Sequence, residues 1–121
     1  DEIAQIAIAI KQMRDSIVAG SSILEADLNF HLAIAAAAHN EVLENAVQLL
    51  RNIMRQWLYY KVLIPNVAPA VLKRHETIYR AIAAHKSANA RSVMRKHLEE
   101  TMQLVIQVVA EHKVRSQTKT K

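Results

Sequence analysis

The chain has 121 residues, 51% of them hydrophobic and 22% charged, with a single glycine, two prolines and no cysteine. That length suits one globular domain with a real core, and the scarcity of helix breakers beside abundant Ala, Leu, Ile, Val, Gln, Lys and Arg predicts an all-α antiparallel bundle of five to six helices. The composition excludes a disulfide framework and a membrane-spanning helix, which leads to the expectation of a cytoplasmic protein.

Residues 2–19 carry Ile3, Ile6, Ile10, Met13 and Ile17 at alternating spacings of three and four, a helix with one narrow apolar seam. Gly20 follows where a left-handed terminating residue belongs. Ser21 or Ser22 can cap the next helix, and Glu25, three residues after Ser22, completes a capping box. That helix runs to about Ala38 and ends in a run of four alanines, and His39-Asn40 breaks it. A third helix, roughly 41–63, keeps Leu43, Ala46, Leu50, Ile53 and Trp57 in register. Its second row of Val42, Leu49 and Gln56 is partly polar, so one edge should meet solvent or a partner.

Pro65 and Pro69 bound a short connection to a fourth helix over about 69–85. The fifth helix, Ser87 to Glu111, shows a wide apolar face containing Val93, Met94, Leu98, Met102, Val105, Val108 and Val109. Residues 1–112 therefore read as one domain, and residues 113–121 as a basic, disordered tail. Four of the charges behind the net +5 sit in that tail, at Lys113, Arg115, Lys119 and Lys121. The rest of the chain is near neutral and no helix carries a phosphate-binding face, so DNA contact is expected only through some other domain.

Four polar side chains occupy positions where the pattern asks for hydrophobes. Asp27 and His31 lie in the stripe Leu24-Asp27-His31-Ile34-Ala38, His75 lies in Val71-His75-Ile78-Ile82, and His97 sits between Met94 and Leu98. One carboxylate and three imidazoles pointing inward are costly unless something satisfies them, and a divalent cation would satisfy all four. The i,i+4 pair places two donors on one helix face, suited to adjacent positions around one ion. The same residues also fit an ion pair of Asp27 with Arg51, Arg55 or a histidinium, beside simply hydrogen-bonded imidazoles.

As a donor set, three nitrogens and one oxygen disfavour calcium and magnesium and suit zinc, nickel, iron, manganese or cobalt. A tetrahedral zinc would be saturated and structural; a higher coordination number leaves positions for water or for a carboxylate with a neighbouring hydroxyl or keto oxygen. A metal-dependent enzyme is the rival reading, but it lacks a convincing base. Glu25 and Glu76 are the nearby acids, and Glu76 points about 100° away from His75 on its helix. A structural, metal-stabilised dimerisation domain is a third. His39, His85 and His112 fall at helix ends or in a turn and are assigned no chemistry.

Asp27-Leu28-Asn29-Phe30-His31-Leu32-Ala33-Ile34, followed by Ala38-His39-Asn40-Glu41-Val42-Leu43, resembles the D-x-x-F-H-x-x-[IL]…[AS]-x-N-x-x-L signature of the FadR C-terminal (FCD) domain. That domain is the effector-binding half of one branch of GntR-type bacterial transcription regulators. His75-Glu76-Thr77-Ile78 and Ala81-Ile82 are similar to its H-x-x-I-x-x-A-I, and Ala90, Met94 and His97-Leu98 to its A-x-x-x-M-x-x-H-L. The resemblance implies a metal-binding branch in which Asp27, His31, His75 and His97 are the ligands, zinc the leading ion and nickel or another first-row metal the alternative. It further implies a small organic acid as effector, a homodimer, and no catalysis. Regulators of this kind open with a winged helix-turn-helix domain, and the FCD domain with an R-x-x-[LI]-E helix. Neither is present here, and Arg51 and Arg55 are the substitutes expected to contact an effector carboxylate.

Overall fold

The computed structural model describes residues 1–62 and 66–119, with the side chains of Leu50, Met54 and residues 57–62 left aside. The expectations placed on Leu50, Trp57 and Pro65 lie outside the described residues. Among these residues the chain forms five helices and no strand: α1 (Glu2–Val18), α2 (Leu24–Ala37), α3 (Glu41–Val62), α4 (Val67–Ala83) and α5 (Ser87–Thr118). None is long and apolar enough to cross a membrane.

The helix ends follow from local chemistry. Asp1 caps α1 by accepting from the Ile3 amide at 3.1 Å. Gly20, at φ +70°, ends α1, and the Ser21 amide reaches back to the Ser16 carbonyl at 2.9 Å. His39 (φ 53°) and His85 (φ 57°) take the same left-handed position after α2 and α4, where they serve as terminators. The Lys86 amide closes the end of α4 on the Ala81 carbonyl at 2.9 Å. Asn40 Oδ1 accepts from the Leu43 amide at 3.0 Å and opens α3.

Only half of the expected capping box forms. Ser22 Oγ accepts from the Leu24 amide at 3.2 Å, but Glu25 turns instead to two guanidinium groups of α3. Charge-assisted hydrogen bonds outweigh a single backbone donor.

In packing order the helices run α1, α2, α3, α5, α4 and back to α1. The core lies between α1, α2 and α4. Ile6, Ala9, Ile10, Phe30 and Ile78 form one cluster, and Met13, Ile23, Ala26 and Val71 another. Helix α2 is more deeply set than a single stripe predicts: Ala26, Asp27, Leu28, Phe30 and Ala35 are all buried, and they point to more than one side of the helix. The wide apolar face expected of α5 divides. Val93, Met94, Val105, Val108 and Val109 are half-buried, whereas Leu98 and Met102 face outward. Helix α5 also continues to Thr118, past the expected end at Glu111 and through most of the stretch expected to be disordered, with every residue from Ala110 to Lys119 exposed.

Candidate metal centre

Helices α2, α4 and α5 each send imidazole side chains to the axis of the ring. Asp27 and His75 are 0% exposed and His97 is 2% exposed, so these groups are removed from bulk water. His31 is the least enclosed, with its side chain 13% exposed.

Their facing atoms converge. Asp27 Oδ1 lies 3.4 Å from His31 Nε2 and 3.3 Å from His75 Nε2. His75 Nε2 is 3.2 Å from His97 Nε2. One ligand nitrogen from each of His31, His75 and His97 falls within 4.8 Å of the other two. Metal–ligand bonds of about 2.0–2.2 Å put neighbouring ligands about 2.8–3.1 Å apart in an octahedron and about 3.3–3.6 Å apart in a tetrahedron. The three short separations fall in or next to that span, so the donor set fits a first-row transition metal in both size and chemistry.

Without a cation, two lone pairs cannot face each other across the His75–His97 contact. One Nε2 must carry a proton and donate it to the other, with the tautomers set accordingly.

Ring packing holds the donors in place. His31 and His97 lie parallel with centroids 5.6 Å apart, and His75 stands edge-on to both at 5.3 Å and 4.9 Å. Phe30, fully buried, stacks on His75 at 3.9 Å with the planes 10° apart. Sequence reasoning did not assign Phe30 a place at the site, although its position directly before His31 was visible. A neighbour in sequence points some 100° away on a helix, and only the depth of α2 brings that direction back toward α4.

Arg51 and Arg55 are placed elsewhere. Arg55 Nε donates to Glu25 Oε1 at 2.9 Å, and a second Arg55 nitrogen donates to Oε2 at 3.2 Å; Arg51 donates to Oε2 at 3.3 Å. The Arg55 hydrogen bond, ahead of its charge and the Arg51 contacts, holds the Glu25 carboxyl below the ordinary carboxylate range. Glu25 and Asp27 are two residues apart, about 200° around α2, so this cluster addresses the side of α2 away from the imidazoles. Asp27 therefore has imidazoles beside it, while both arginines meet Glu25. Glu76, the other acid near the site, accepts from Arg14 at 2.9 Å.

A surface groove of about 370 Å³ between α4 and α5 reaches down to His97. Arg74 Nε and Glu100 Oε2, both lining it, pair at 2.9 Å from one helix to the other.

Fold and site define the class: an all-α bundle with a buried polar centre held by three helices. The chain belongs to the FCD domain family, which it matches over residues 1–100. It is 33% identical over 105 residues to the HTH-type transcriptional regulator LutR of Bacillus subtilis (strain 168), covering 80% of this chain and 47% of that protein. It is 35% identical over 81 residues to the putative L-lactate dehydrogenase operon regulatory protein of Escherichia coli (strain K12), covering 61% of this chain and 30% of the relative. A protein of the same name from Shigella flexneri matches to the same extent. The chain thus spans between 30% and 47% of the length of these regulators.

Proposed function

We propose that this chain is the sensing domain of a transcription regulator. In this reading it holds one divalent transition metal, zinc before nickel, on Asp27, His31, His75 and His97, and it reads a small organic acid at that centre. The observation that supports it most directly is the convergence of three imidazole nitrogens, one from each of three helices, within 4.8 Å of one another, with Asp27 Oδ1 3.3–3.4 Å from two of the rings. The bound ion would supply a Lewis-acidic anchor for the carboxylate and neighbouring hydroxyl of a 2-hydroxy acid. The name of the Escherichia coli relative, which refers to lactate metabolism, supports lactate as the first acid to test.

The chain's own residues have distinct parts. Asp27 supplies the negative charge that a cation needs in a buried site, and the three imidazoles supply neutral nitrogens. Phe30 fixes the plane of His75, as outer-shell contacts orient metal ligands in general. Arg51 and Arg55 remain the proposed contacts for the acid's carboxylate. They could take that part only by releasing Glu25 and turning around α2 toward the imidazoles, since Glu25 now holds both on the other side. A response to the acid requires two states of the bundle with different affinities for it, passed to a DNA-binding domain attached in the whole regulator and working as a pair of copies.

This reading makes the domain a sensor without catalysis. The two acids weighed as bases, Glu25 and Glu76, are each engaged by arginine, so neither stands as a free base.

The test is elemental analysis of purified protein followed by titration with lactate. One equivalent of transition metal is expected, released as pH falls through about 5–6, where histidine ligands gain protons. Lactate should then bind stoichiometrically and be recovered unchanged. Less than a tenth of an equivalent of any transition metal, even after supplementation, would sink the metal centre. Consumption of the acid would make the domain an enzyme.

A further inference from the structure

The groove between α4 and α5 combines a buried imidazole, His97, with charged side chains on its walls. At about 370 Å³ it falls in the range of small-ligand sites, about 300–1,000 Å³. Arg74 directly precedes His75, and Glu100 stands one turn beyond His97. Their 2.9 Å ion pair therefore ties α4 to α5 beside the buried contact of those two rings. Arg74 and Lys96 set two positive charges against the one negative charge of Glu100. That surplus favours an anionic occupant over a neutral or cationic one. A guanidinium fork is also shaped for a carboxylate, and here it already holds one. The two side chains are 37% and 36% exposed, so a carboxylate arriving from solvent can compete for the same donors.

We infer that Arg74 is a docking point for the carboxylate of a small organic acid, and that Glu100 holds the place until the acid displaces it. This role rests on the sensor reading above and adds a further contact to it. Arg51 and Arg55 would have to turn around α2, whereas Arg74 already lines the opening that reaches His97. Exchanging one carboxylate for another keeps the guanidinium paired, so the swap costs no more than an exposed ion pair contributes. It also unties α4 from α5 at this point. Latched and released states then differ in affinity for the acid, which is what a two-state response requires.

The experiment is calorimetric titration of the 121-residue chain, supplied with zinc, with L-lactate and with lactamide, its neutral amide. Arg74→Gln should weaken lactate binding about tenfold or more, the loss of a charge-assisted pair. Glu100→Gln should tighten it by up to about fivefold, because the internal competitor is gone. The double variant should bind like Arg74→Gln alone, since Glu100 acts through Arg74. Lactamide, which offers no carboxylate, should bind weakly and respond to neither change. A merely structural ion pair would move both single variants in the same direction. Elemental analysis and circular dichroism on each variant check that metal and helices are retained. Arg74→Gln binding lactate as tightly as the parent chain, or the two single variants shifting together, overturns the inference and leaves the sensor reading intact. A zinc-supplied parent chain that binds no lactate overturns both.

Discussion

The inner row of α1 and the outer row of α3 are written in the same language and end in opposite places. Ile6, Ile10 and Met13 repeat at intervals of four and three, and all three are buried against α2 and α4. Val42, Leu49 and Gln56 repeat at intervals of seven, yet Val42 and Leu49 are 79% and 80% exposed. Periodicity declares that a helix has an apolar face; it does not declare what covers it. The difference gives the buried polar residues their meaning. Asp27 and His75 sit in the covered region, where water cannot satisfy them, so their presence there calls for a specific partner. The same residues on α3's outer row would call for none.

The comparison can be broken most decisively at the centre. His75→Ala should reduce metal content to below a tenth of an equivalent. Under conditions a hundredfold above the metal's dissociation constant, it should also remove about 2.7 kcal/mol of stability. His85→Ala, exposed at a helix terminus, should leave metal content unchanged. Next, Phe30→Ala should cost about 3–5 kcal/mol by emptying a core site, and should weaken metal binding although no donor is altered. Equilibrium unfolding in urea and a competition assay with a chromogenic chelator measure the two effects.

A matched pair sharpens the contrast further. Ile78→Ala, in the covered region, should cost about 2–5 kcal/mol, whereas Leu49→Ala, on the outer row, should stay within about 0.5 kcal/mol. Equal losses in the pair would show that α3's outer row is covered in solution.

The smallest effect lies at the α2–α3 clamp. Glu25→Gln should cost no more than about 1 kcal/mol, since exposed ion pairs contribute little. Because the Arg55 hydrogen bond lowers the Glu25 pKa in the folded state, the clamp's contribution is full above the unfolded carboxylate value. It fades as pH falls through the lowered folded value. Urea melts on both chains should therefore converge toward acid pH.

Much of this was legible in the sequence. Gly20 and the His39-Asn40 break set helix ends to within a residue or two, and four polar interruptions of apolar stripes included the three histidines that the fold brings together. The donors were readable because hydrophobic spacing leaves an inward aspartate or histidine conspicuous. What escaped is long-range or directional. Glu25 looks like a local capping partner until the arginines 26 and 30 residues away are brought beside it. Phe30 belongs to a second face of α2, hidden from any single-stripe reading. The split of α5's apolar face into a half-buried side and a bare ridge depends on where its neighbours stop.

The donors are also far apart along the chain. His75 and His97 are 22 positions apart, and His31 and His75 twice as far. An ion gripping all three would tie off two long loops at once, working as a reversible staple in a chain that has no cysteine with which to make a permanent one. Loading and stripping that staple would change how tightly α4 and α5 are bound to α2, and so how freely the long α5 can tilt.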